Sequence, residues 1–101
     1  MTGIESTHER LVEVVLRLRA EGSPIVGGDA DEFARRALRR WLRTAYADGE
    51  RGTTERRLED LALALAQTFV PHPPPPLSEY RHVAARLGEV LTEVEALREA
   101  A

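Results

Sequence analysis

The sequence contains no cysteine and no lysine. Without cysteine there is no disulfide frame, no thiolate metal site and no thiol nucleophile. Without lysine no Schiff base can form, no charge can be removed by lysine acetylation, and every fixed cation is a planar guanidinium fork. Codon bias in a GC-rich genome accounts for arginine in place of lysine, and the 14 alanines fit the same bias. Long apolar runs are missing too. The longest, Leu61–Ala66, falls far short of the ~20 residues a membrane span needs. Met1–His8 has neither a charged leader nor an apolar stretch, so no signal peptide is expected, and a soluble cytoplasmic protein is the expectation.

What remains is a 101-residue chain, 43% hydrophobic and 31% charged, with 14 arginines against 17 acids and a formal net charge of −3. That length implies one domain of residues 1–101 with one modest core. Cap, stripe and stop signals divide it into four helices at about 6–21, 30–47, 54–70 and 78–100.

The first begins with Ser6 and Glu9 in capping-box spacing and stops at Gly22, with Pro24 beyond. Leu11, Val15 and Leu18 share a face that Val12 and Leu16 widen, so burial on most sides is expected. Val12–Leu16 alone also reads as a buried strand; the cap, the length and the stop favour helix. Ile25 and Val26 in the following loop are expected to tuck over the end of the core. Asp29, Asp31 and Glu32 supply a cap and a negative first turn for the second helix. There Phe33, Ala34, Ala37, Leu38, Trp41, Leu42 and Ala45 take one half of the circumference, and Arg35, Arg36, Arg39, Arg40 and Arg43 the other. Residues 48–54 form a short turn, and Thr53 or Thr54 caps the third helix. Its stripe is Leu58, Leu61, Ala62, Leu65 and Phe69, extended by Leu63, Ala66 and Val70.

Residues 71–77 form a polyproline spacer, expected to be extended polyproline II. Six such residues span roughly 19 Å. That is enough to carry the chain most of the way back along a bundle or to hold the last helix on an arm. Ser78 is expected to cap that helix. Tyr80, Val83, Leu87, Val90, Val94, Leu97 and Ala101 recur in 3,4 spacing, with Leu91 broadening the seam. The fold expected is all-α: a helical bundle, or a three-helix core plus a coiled-coil-like, semi-independent fourth helix at 78–101.

Three functional readings follow. The first is a small non-catalytic interaction or assembly subunit, with no cofactor. It self-associates, a dimer being favoured, or binds a partner protein through Tyr80, Val83, Leu87, Val90, Leu91, Val94 and Leu97. In a parallel pair Glu93 and Arg98 would take complementary flanking positions. The second is a nucleic-acid-binding regulator using Arg35, Arg36, Arg39, Arg40 and Arg43, whose forks suit phosphate. Carboxylates of the same fold, Glu89, Glu93, Glu95 and Glu99 among them, compete for that face, and a pI of about 5.6 counts against a nucleic-acid field. The third is a di-iron-like metal site. Glu5–His8 and Glu79–His82 have the Glu-x-x-His spacing, and Glu32 with Glu55 or Glu59 would complete the set. Thirteen glutamates make that spacing common by chance, Glu5 precedes the expected cap, and His82 points away from the seam; surface charge is the preferred reading.

His8, beside Leu11 and Val15, is expected to be partly buried and hydrogen-bonded, and His72 exposed. Gly27-Gly28 resembles a phosphate loop only superficially, because Asp29, Asp31 and Glu32 occupy the place of an anion. Ser6, Ser23 and Ser78 read as caps and turn residues rather than nucleophiles, and the two PxxP spacings as part of a spacer.

Overall fold

The computed structural model describes residues 3–26, 28–44 and 53–100. Within them four α-helices form and no strand: α1 (Gly3–Ala20), α2 (Ala30–Thr44), α3 (Thr54–Thr68) and α4 (Leu77–Ala100). The all-α bundle is the expected one. The expected run of α2 to residue 47, the turn at 48–52 and the side chains of Glu5, Arg98 and Glu99 lie outside the described residues.

Local chemistry explains most of the boundaries. Asp29 Oδ1 accepts the backbone N–H groups of Asp31 at 2.9 Å and Glu32 at 3.4 Å, capping α2. Thr53 does the same for α3 through the Arg56 N–H at 3.2 Å. At the end of α1, Gly22 turns left-handed with φ +91°, a region open to glycine. Its N–H reaches the Arg19 carbonyl at 3.0 Å, and the Ser23 N–H reaches the Leu18 carbonyl at 3.0 Å. This is a Schellman closure, satisfying two orphan carbonyls. The loop then drops Ile25 and Val26 into the core, as expected, and the Arg19 guanidinium pins it by donating to the carbonyls of Val26 and Gly28.

Two expected caps fail. α1 begins at Gly3, ahead of Ser6, and α4 begins at Leu77, ahead of Ser78. The Glu79 N–H bonds to the Pro76 carbonyl at 3.0 Å. Proline suits a helix entrance because its φ is already helical and its missing N–H costs nothing there.

Ion pairs show how the helices run. Arg10 meets Glu93 at 2.7 Å and Glu21 meets Arg86 at 3.1 Å, so α1 and α4 are antiparallel. α3 and α4 are antiparallel neighbours, with Glu59 on Arg81 at 3.0 Å and Leu58 lying over Gly88, where a Cβ would collide with it. α2 and α3 are antiparallel as well: the Phe33 and Phe69 rings sit 4.4 Å apart at one end, and Arg40 grips Asp60 further along.

This arrangement corrects the expectations for the proline segment and the last helix. The His72–Pro73 peptide is cis. The segment neither crosses the bundle nor extends an arm, because the Tyr80 hydroxyl donates to the Phe69 carbonyl across it. α4 is part of the core. Tyr80, Val83, Leu87, Val90 and Leu91 are all buried, in one cluster to which every helix contributes. Val94 is half-buried against that cluster and Leu97 is 63% exposed. The heptad seam is therefore filled by α1, α2 and α3 of the same chain, and it is not a free interface. A 3,4 stripe serves an internal bundle position as well as a coiled coil.

The sequence reading overstates burial elsewhere. Leu16, Leu42, Leu63 and Val70 are exposed, so α1 is one-sided and the α3 stripe is narrower than its leucines suggest. It also misses a buried charge. Arg57, 3% exposed, clamps Glu95 with two 2.7 Å bonds, donates to the Trp41 carbonyl at 3.0 Å and lies 3.9 Å over the Trp41 ring. The Trp41 indole N–H donates to the same carboxylate at 2.6 Å. One guanidinium thus joins α2, α3 and α4.

Candidate functional site

The arginines of α2 follow from its amphipathic pattern: Phe33, Ala34, Ala37 and Trp41 turn inward and are buried, which forces the charged positions outward. Packing against α3 divides them. Arg36, Arg39, Arg40 and Arg43 line one wall of a groove of about 250 Å³, whose other side is Leu61, Ala64, Leu65, Gln67, Thr68 and Phe69 of the α3 segment. Arg35 is not among its lining residues.

The state of each arginine differs. Arg35 holds Asp31 at 2.8 Å and Arg36 holds Glu32 at 2.7 Å, both one turn apart on α2. Arg40 forms a bidentate fork on Asp60 with two 2.8 Å bonds, and that hydrogen bonding raises its pKa above the usual guanidinium value. Arg39 and Arg43 form no ion pair among the described residues. Like charges one turn apart repel, so among the described residues these two forks stand unrelieved beside the groove. The relief expected from the last helix does not reach this face: Glu93 pairs with Arg10 of α1 and Glu95 with Arg57 of α3. The acid that does reach it, Asp60, lies one position before Leu61 of the α3 stripe.

The two Glu-x-x-His motifs do not converge. His8, half-buried and hydrogen-bonded as expected, bonds through Nε2 to the exposed Asp31 at 2.6 Å. Glu79 and His82 line a second cleft of about 710 Å³ with Leu18, Glu21, Ser23 and Pro76. Leu18 lies ten residues beyond His8, about 15 Å along the helix, too far for one metal to bridge. Glu32 and Glu59 are engaged by Arg36 and Arg81. Among the described residues no three histidine, aspartate or glutamate side chains form a metal-holding group. Ser23 and Ser78 share the second cleft with His82, yet no hydrogen bond joins either serine to it among the described residues.

The His8–Asp31 contact carries a pH prediction. The hydrogen bond from His8 holds the Asp31 carboxyl below its ordinary range, with Arg35 adding to the effect. A carboxylate with a depressed folded pKa stabilises the fold above its unfolded pKa and loses that contribution as pH falls through the folded one. NMR titration should place Asp31 below the ordinary aspartate range, and His8→Ala should move it upward. An Asp31 titration that His8→Ala leaves in place would contradict the contact.

No helix among the described residues is long and apolar enough to cross a membrane. Comparison with known proteins finds no matching family model, no matching curated protein and no matching solved structure.

Proposed function

We propose that this chain is a small non-catalytic interaction subunit that holds an acidic segment of a partner protein in the α2–α3 groove. The observation that carries the reading is the pair Arg39 and Arg43, unpaired among the described residues and one turn apart, above a groove with an apolar side. Two planar forks at that spacing suit two carboxylates one turn apart on a partner helix, and the half-buried Ala64 and Phe69 suit an apolar side chain beside them. The interaction role read from the sequence is retained; the surface moves from the seam of α4, which is buried, to α2 and α3.

Nucleic acid fits this face less well. Phosphate binding draws on many free cations. Three of the five arginines here are already neutralised by Asp31, Glu32 and Asp60, whose carboxylates would face the phosphates. The chain as a whole is acidic, with a pI of about 5.6.

The test is fluorescence anisotropy with a labelled helical peptide carrying Glu-x-x-x-Glu and a leucine one turn on, beside a labelled 20-base-pair duplex at the same salt. A small interface of this kind should give a dissociation constant of about 10–100 µM. Arg39→Glu with Arg43→Glu should weaken peptide binding by about tenfold or more, since each exposed pair contributes up to ~1 kcal/mol and reversal adds repulsion. Tight, salt-dependent duplex binding without peptide binding would replace the proposal with the nucleic-acid reading.

A further inference from the structure

The acidic segment that the groove calls for is present on the chain itself. The outward face of α1 carries Glu9 and Glu13, both exposed and without an ion pair among the described residues. They stand one helical turn apart, with Cβ atoms about 5–6 Å from each other, the same spacing as Arg39 and Arg43 on α2. Leu16, 47% exposed, lies one turn beyond Glu13. It is one of the large apolar side chains the fold leaves in water. Two of the three neighbouring cations of α1 are held away from this face. Arg10 is drawn toward α4 by Glu93 and Arg19 is bound to the α1–α2 loop, while the exposed Arg17, one turn beyond Glu13, borders the stripe.

We infer that the partner in the groove is a second copy of this chain, presenting the Glu9–Glu13–Leu16 stripe of its α1 to Arg39, Arg43 and the α3 side of the groove. The inference rests on the groove reading above and names its occupant. Charge complementarity carries it: two carboxylates and two guanidinium groups, all without an ion pair among the described residues, meet at matched spacing, and one exposed leucine meets the half-buried Ala64 and Phe69 of the groove. The two surfaces lie on different helices, so the contact is heterologous, joining unlike faces of the two copies. One copy can give its stripe and receive another at the same time. Both surfaces are exposed and polar at the rim, so the association is weak and salt-sensitive.

Charge reversal with complementation tests this by sedimentation velocity. Wild-type protein at several hundred micromolar and ~20 mM salt should sediment above monomer mass and return to monomer at ~500 mM salt. Arg39→Glu with Arg43→Glu should be monomeric because its groove is reversed. Glu9→Arg with Glu13→Arg should be monomeric because its stripe is reversed. Mixed one to one, the intact stripe of one variant meets the intact groove of the other, and the reversed stripe meets the reversed groove, so association should return although neither variant associates alone. The substituted side chains are exposed, and unchanged circular dichroism melting serves as the folding control. Glu9→Gln with Glu13→Gln should weaken association less than the arginine pair. A wild-type monomer at all concentrations at low salt, with the Glu-x-x-x-Glu peptide still bound by Arg39 and Arg43, overturns self-recognition and leaves the groove reading standing. Failure to bind the peptide as well overturns both. Self-association that neither variant alters overturns the inference by placing the contact elsewhere.

Discussion

Arg57→Ala is expected to destabilise the fold by about 3–5 kcal/mol, the usual cost of stripping one partner from a buried ion pair. For a chain of this size that lowers the melting temperature by roughly 15–30 °C. The reason lies in what the side chain leaves behind. Glu95, 18% exposed, loses both of its 2.7 Å bonds to the guanidinium. The Trp41 carbonyl loses a 3.0 Å donor, and the Trp41 ring loses the cation stacked over it. Replacing both charges together, Arg57→Met with Glu95→Leu, should recover much of the loss, since apolar replacements of buried pairs are often tolerated. Recovery should stop short of wild type by about 1–3 kcal/mol, because the indole N–H of Trp41 then has no carboxylate to donate to. Urea unfolding of the three proteins measures this directly. A loss under about 1 kcal/mol for Arg57→Ala would show that its charge is solvated.

Leu87→Ala is the second large effect, at about 2–5 kcal/mol. Leu87 is fully buried at the centre of the α4 stripe, in the core cluster to which all four helices contribute. Because its neighbours belong to the same chain, the loss should be the same at every protein concentration. A seam shared between two chains would instead give a stability that rises with concentration. Leu97→Ala, at a position 63% exposed, should change stability by no more than about 0.5 kcal/mol. The contrast between the two leucines, read from melts over a hundredfold concentration range, separates the internal seam from an external one.

Helices and their order were legible because caps and stops are local: Asp29, Thr53 and Gly22 each act within a few residues of the chain. Ser6 and Ser78 misled for a related reason. A serine near a helix start satisfies the pattern whether or not the backbone has already turned, and the entry of α4 is set by Pro76 instead. The fate of the α4 stripe was not readable, because a heptad says which face is apolar and not whose surface covers it. Arg57 and Glu95 left a faint signal. Each continues a buried stripe by four residues, Arg57 ahead of Leu61 and Glu95 after Leu91, which places opposite charges on core-facing positions of two helices. The candidate groove was legible only in part. The arginine face of α2 was plain, but its sorting into paired and unpaired forks depends on Asp60, whose approach is a matter of helix packing.

The central claim is that Arg39 and Arg43 form the recognition surface. The most direct measurement is a two-dimensional NMR titration with the Glu-x-x-x-Glu peptide, following backbone amides and arginine side-chain N–H groups. Shifts concentrated at Arg36, Arg39, Arg43, Leu65 and Thr68, and lost in Arg39→Glu with Arg43→Glu, are the predicted result. Shifts confined to the α1–α4 surface, or none at saturating peptide, would contradict it.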